Sequence, residues 1–314
     1  GDGSNKWEAY LPIIEKPNLF NPEIGYISTA NQNVTPGDYN KWEAIGFDWA
    51  DPYRGNRINR VLESKEKFNL NEMLALQVDY YSIPSEQIIN LSYGLIPNNN
   101  EYFSMLEKWD KKLSKSSIEA GIYIEWQNQL FLELNKKFIP EKVDKYIDMQ
   151  LFKVIEKISE MSINEKKELL NKTFNSSVDN LREKFGEDPD NWVYGQDDFK
   201  HVKIYHPLEK VVNDSIREII GLKSYPRGGD GYTPGSTSNS LNQESGGSFR
   251  VMIDTGNWDN SFATNSPGQS GDPMSKFYDN LYEDWANDVY FPLLFSKSKI
   301  LKNLSKRTVF KPKD

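Results

Sequence analysis

The sequence predicts an α+β protein, on three observations: short alternating apolar runs near its two ends, a long middle with apolar residues at helical spacing, and turn-rich stretches between them. The first run, Tyr26-Ile27-Ser28-Thr29-Ala30, follows Gly25 and stops at Asn31-Gln32-Asn33. That is the pattern of a buried strand ending in turn formers. In the second, Phe249, Val251 and Ile253 alternate with Arg250, Met252 and Asp254 up to Gly256. It reads as a half-buried strand with its apolar side turned to a core.

The helices between them are read from their stripes. Arg54 opens a stretch in which Ile58, Val61 and Leu62 share one face. Ser116 and Glu119 make a capping box for a helix whose Ile118, Ile122, Trp126, Leu130 and Leu134 recur at every fourth position. Pro140 precedes a second helix with Val143, Ile147, Leu151, Val154 and Ile158 on one side. Ser162 and Glu165 cap a third, which runs through Phe174, Val178, Leu181 and Phe185 and stops near Gly186. These stripes are core, not a cofactor box. The segment 226–248, with Gly228-Gly229, Gly231, Gly235 and Gly246-Gly247, lacks the flanking strand and following lysine of a phosphate cradle. It is expected as a long loop lining the mouth of a cleft. Residues 1–24 form an irregular lead-in through Pro12, Pro17 and Pro22, and the aromatic tail from Leu281 to Phe295 packs back on the core. The chain thus divides into 1–69 (cleft strand and site helix), 70–225 (mainly helical) and 226–314 (loop, strand and packing segment).

Composition removes several functions. The 314 residues, 37% hydrophobic and 13% aromatic, supply a large core in one big domain or two smaller ones. With 38 basic against 46 acidic residues, net charge −8, there is no cationic field for nucleic acid. The absence of cysteine excludes disulfides and thiolate nucleophiles. No apolar run is long enough for a membrane span. His201 and His206 are five apart, with Pro207 after the second, and so do not share a helical face as i, i+4 metal ligands do.

Asn31 and Arg54 are the candidate site residues. A carboxamide at the end of a strand either opens a turn through its own side chain or donates to a developing oxyanion at a cleft rim. The Arg54 guanidinium either braces a carboxylate or carbonyl in the cleft or forms a surface ion pair with Asp51.

Further residues carry a resemblance. Trp7, Tyr10-Leu11-Pro12, Asn21-Pro22, Gly25-Tyr26-Ile27, Asn31, Asp38-Tyr39 and Arg54 stand in an order similar to the later β-subunit of penicillin acylases. So do Gly229-Asp230-Gly231-Tyr232, Ser248-Phe249-Arg250, Asp254, Pro267-Gly268-Gln269-Ser270-Gly271, Tyr278-Asp279, Trp285, Tyr290 and Pro292-Leu293. Residues 1–80 and 190–296 carry most of it, and the middle resembles the family only loosely. These enzymes are N-terminal-nucleophile (Ntn) amidohydrolases. The resemblance implies that the chain is the C-terminal part of a β-subunit and part of an αββα sandwich, with antiparallel strands from both ends and a large helical insertion.

It implies further that Asn31 is the oxyanion donor, that Arg54 orients the site, and that the nucleophilic serine lies outside this chain. Ser4-Asn5-Lys6-Trp7 mimics the family's nucleophile segment, but about 26 residues before Asn31 are too few for the intervening sheet. Glu43 falls at an acidic calcium-ligand position where aspartate is usual; a helix-start carboxylate explains it as well. The resemblance requires no cofactor beyond a structural calcium. The implied partners are the α-subunit, the N-terminal part of the β-subunit and a small-molecule amide such as a β-lactam side chain, an acyl-homoserine lactone or a similar N-acyl compound. The implied compartment is periplasmic or extracellular. Two other readings stay open: a carbohydrate-active or carbohydrate-binding protein, from eight Trp, 17 Tyr and many carboxylates, and an inactive scaffold of the acylase fold.

Overall fold

A computed structural model describes every residue except 1, 5, 7, 8, 43, 44, 239, 240, 313 and 314. After an irregular segment through residue 52, helices dominate: α1 (Tyr53–Leu62), α2 (Leu70–Gln77), α3 (Ile83–Ser92), α4 (Glu101–Lys108), α5 (Ile118–Phe138), α6 (Leu151–Glu160) and α7 (Ile163–Phe185). The remainder mixes short strands and helices: β1 (His201–Val202), α8 (Asp214–Ile220), β2 (Tyr225–Pro226), β3 (Arg250–Met252), β4 (Ser261–Thr264), α9 (Tyr282–Ala286), β5 (Phe291–Leu293) and α10 (Lys297–Lys302). β1 and β2 pair antiparallel, and β3-β4-β5 form an antiparallel sheet with Val251 opposite Ala263 and Phe262 opposite Pro292. Helices with small antiparallel sheets make this an α+β protein. No helix among the described residues is long and apolar enough to cross a membrane.

The core sits where α5 and α7 pack. Ile122, Trp126, Leu130 and Leu134 are fully buried, as their spacing predicts, against Leu170, Phe174 and Leu181 of α7. Each such side chain stabilises the fold by about 1.5–3 kcal/mol. Trp126 meets Phe174 edge-on and donates its indole N–H to Thr173 Oγ1 at 3.0 Å, so the largest buried ring has no unpaired polar atom. At the start of α7, Ser162 accepts from Glu165 N while the Glu165 carboxylate accepts from Ser162 N, the reciprocal cap read from the sequence. A smaller cluster of Val202, Tyr282, Trp285 and Ala286 buries the first part of the aromatic tail, while Val289 and Phe295 further along it stay exposed.

Several expectations are corrected. The cap of α5 is Ser117, which accepts from Ala120 N, and not Ser116. The helix expected after Pro140 begins only at Leu151; Val143 and Ile147 lie in the preceding turns and are exposed. A helix needs acceptors for its first N–H groups, and here Asp51 Oδ1 takes that of Phe152 at 2.9 Å, which fixes the start. β3 exists but shows the opposite side to the core: Arg250 is buried, while Phe249 is 54% and Ile253 48% exposed. The guanidinium goes inside because Asp288 and the Trp285 carbonyl receive it there. Residues 26–30 run without forming a strand, and Ile27 is 60% exposed. Among the described residues no sheet edge pairs with them.

Candidate active site

The site is assembled at the first turn of α1. Pro52 precedes the helix with its φ already helical, a role proline fills because the missing N–H would be unpaired there anyway. The turn projects Arg54 from one side and leaves Gly55 bare on another. Gln32 lies over Gly55 so closely that a Cβ there would occupy the position of its amide, and its Oε1 accepts from Ala30 N at 2.6 Å. Between Ala30 and Gln32, Asn31 adopts φ +66, the left-handed region that asparagine tolerates better than most residues, and its carbonyl accepts from Ala50 N at 3.1 Å. The backbone at Asn31 is therefore fixed by a turn and a helix, where a strand was expected, and its side chain is exposed.

The two predicted residues meet: Arg54 Nη2 donates to Asn31 Oδ1 at 2.9 Å. Guanidinium has only donors, so the contact fixes which end of the carboxamide faces it. Oδ1 is taken, and the Nδ2 donors point away from Arg54. Burial lowers the Arg54 pKa from its ordinary value. The alternative pairing of Arg54 with Asp51 is not made: Asp51 is spent on the start of α6, and burial pushes its carboxyl above the ordinary range.

Arg54 lines a cleft of about 740 Å³. One wall is α5, with Gln127, Asn128, Phe131 and Asn135; another is the lead-in to α6, with Asp148 and Met149. Gly231, Tyr232 and Ser236 of the glycine-rich loop supply a third, which agrees with the expectation that this loop borders a cleft. Its root, however, is buried: Arg227 and Asp230 are 2% and 4% exposed. An aspartate alone among glycines in a loop with few charges was the signal for that in the sequence. The Asp148 carboxylate accepts from Asn135 Nδ2 at 2.8 Å, so both carboxylates of the cleft wall already have structural partners.

The histidines lie elsewhere. His201, buried in β1, approaches Asp197 Oδ1 at 3.0 Å and Gly195 O at 3.1 Å, and His206 Nδ1 accepts from Leu208 N at 3.1 Å in a local turn. Ser4 hydrogen-bonds Asp2 Oδ1 through both N and Oγ on an exposed segment. Glu43 lies outside the described residues, and among those described no group of three or more His, Cys, Asp or Glu could hold a metal ion.

Residues 1–302 match the family described as penicillin amidase. The chain belongs to the penicillin amidase family. It is 22% identical over 347 residues to the acyl-homoserine lactone acylase QuiP of Pseudomonas aeruginosa, a match covering 95% of this chain and 41% of that protein. It is 23% identical over 333 residues to the penicillin acylase 2 proenzyme of Pseudomonas sp. strain SE83, covering 95% of this chain and 40% of the relative. The chain therefore spans about two fifths of the length of these curated relatives. Among solved structures, a thermostable penicillin G acylase from Alcaligenes faecalis superposes with a TM-score of 0.63 at 14% identity, covering all of this chain and 62% of that one. That likeness extends the fold to the whole chain.

Proposed function

We propose that this member of the penicillin amidase family supplies the oxyanion-stabilising side of an N-acyl amide hydrolase whose N-terminal serine nucleophile lies on another segment. The observation that carries this reading is the Asn31–Arg54 hydrogen bond. When a serine oxygen adds to an amide carbonyl, the carbonyl oxygen gains negative charge. An Nδ2 donor held in one orientation beforehand stabilises that charge without having to reorganise. Arg54 acts as a positioning residue through Asn31 and adds positive potential at the cleft. Collapse of the tetrahedral intermediate releases the amine and leaves an acyl-enzyme, which water then hydrolyses. The substrate is an N-acyl amide such as a β-lactam side chain or an acyl-homoserine lactone, in line with the names of the relatives.

The same reading accounts for the exposed segment before α1. Tyr10, Ile13, Ile14, Phe20 and Phe47 are each more than three quarters exposed, and a surface of that kind marks an interface. We assign it to the remainder of the acylase, whose strands would pair with residues 26–30 and complete the sandwich. A calcium ion held partly by Glu43 belongs to the same proposal, and no step of the chemistry passes through it.

The test joins this chain to the remaining segments of an acylase of the family. Amide hydrolysis should appear in the joined protein and be absent from the 314-residue chain alone. Asn31→Ala should lower kcat by about 10²–10³ with KM little changed. Asn31→Asp, which offers Arg54 a carboxylate and the substrate no donor, should fare no better. A joined protein that hydrolyses no amide would favour the inactive scaffold, and an Asn31→Ala variant of full activity would remove Asn31 from the mechanism.

A further inference from the structure

The C-terminal segment reverses the charge of the rest of the chain. Seven of the 38 basic residues stand in positions 297–314, where Asp314 is the one acidic residue, although the whole chain carries a net charge of −8. The ion pairs among the described residues involve none of Lys297, Lys299, Lys302, Lys306, Arg307 and Lys311. Apolar side chains stand between these cations: Ile300, Leu301, Leu304 and Val309 are exposed, and Phe310 is 92% exposed. Helical spacing puts Ile300, Leu301 and Leu304 on one side of the segment and Lys299, Lys302 and Lys306 on the other. The match to the family stops at residue 302, so Leu304, Val309, Phe310 and the last four cations are not part of the matched pattern.

The fold fastens this segment at its root. Asp259, in the single turn Trp258–Asn260 that leads into β4, accepts from Phe295 N at 2.9 Å and Ser296 N at 2.8 Å through Oδ1. Ser296 then caps α10 through Lys299 N. Trp258 and Phe295 lie ring against ring, 4.8 Å between centroids, and both are exposed. The root thus carries an aromatic pair of the kind that settles at a membrane–water boundary, with the basic and apolar residues running on from it.

The chemistry of the occupant follows from the mixture. A nucleic acid would pair the cations and leave the apolar side chains in water. A protein groove that takes an amphipathic helix needs apolar anchors sustained over several turns. Here α10 ends at Lys302, and Val309 and Phe310 follow in non-helical chain before Pro312. An anionic bilayer surface meets both demands without a continuous helix, because headgroup charge lies directly over hydrocarbon.

We propose that the face formed by Trp258, Phe295 and residues 297–311 lies on an anionic lipid surface, holding the protein against a membrane that it does not cross. The proposal is independent of the acyl-transfer reading. It is tested by co-sedimenting the 314-residue chain with vesicles of phosphatidylcholine alone and of phosphatidylcholine with one phosphatidylserine in four lipids. Binding should appear with the anionic vesicles only and weaken as salt is raised. Each cation near such a surface strengthens binding about fivefold, so the triple variant Lys302→Gln, Lys306→Gln, Arg307→Gln should bind about a hundredfold more weakly. Leu301→Ser with Leu304→Ser should lose about tenfold or more. All five positions are exposed, and circular dichroism checks that both variants keep the parent fold. Equal binding to the two kinds of vesicle would overturn the proposal, placing the contact on another apolar surface of the chain. A loss with the charge variant but none with the leucine variant would also overturn it, since a polyanion such as RNA would then suffice. Binding should persist when the chain is joined to the remaining segments of an acylase; its disappearance there would assign the face to a protein interface and overturn the proposal as well.

Discussion

Gly55 shows how one missing side chain holds the site. Gln32 lies against the bare backbone of α1, and Asn31 is carried with it into reach of Arg54. In Gly55→Ala the Cβ would displace the flexible end of Gln32, which costs little, while alanine stabilises the helix by about 0.5–1 kcal/mol. The expected outcome is an unchanged or slightly raised melting temperature together with slower amide hydrolysis in the joined enzyme. Thermal unfolding and kcat measured on one preparation check it. A parallel fall in both would assign Gly55 to stability alone. Asn31 and Arg54 were singled out by residue type, spacing and a family resemblance. Their mutual hydrogen bond was not, because it depends on a left-handed backbone at Asn31 that sequence spacing does not encode. Asp230 passed as one letter of a likeness, although an acidic residue among glycines in a loop with few charges marked the buried root there.

Among the elements, α7 states its own limits most clearly. Ser162→Ala removes one half of the reciprocal cap and should cost about 0.5–2 kcal/mol in denaturant unfolding, with Glu165→Ala costing less. Equal stability of Ser162→Ala and the parent would show that tertiary packing alone sets the start of the helix. The stripes of α5 and α7 were readable because long helices repeat their buried face several times. The shorter elements depended on partners distant in sequence. α6 begins where Asp51 and the Trp49 carbonyl meet its first turn, the latter through Gln150 Nε2 at 2.8 Å, and both lie about a hundred positions earlier. β3 turned its charged residue inward because Asp288 waits 38 positions later. The run at residues 26–30 has the composition of a strand but no neighbouring strand among the described residues. Composition reports a preference for extended backbone, whereas pairing needs a second edge.

At the scale of the whole molecule, Asp288 fastens the two ends together. It accepts from Arg227 and Arg250 through one oxygen and from the Tyr80 hydroxyl through the other, which links positions 208 apart. Asp288→Ala leaves two buried guanidinium groups without their carboxylate and should cost about 3–5 kcal/mol in urea unfolding, whereas Tyr80→Phe, which keeps both ion pairs, should cost about 1 kcal/mol. Similar losses in the two variants would mean that the hydroxyl matters as much as the charges. The apolar residues bared between Tyr10 and Phe47 have a different consequence, one for newly made protein. A greasy ribbon that finds no shelter in the helices following it has to be covered by another surface. Whatever covers it must be at hand when the fold forms. Otherwise newly made copies would stick to one another, and yield in a cell would depend on chaperone supply as much as on how stable the finished fold is.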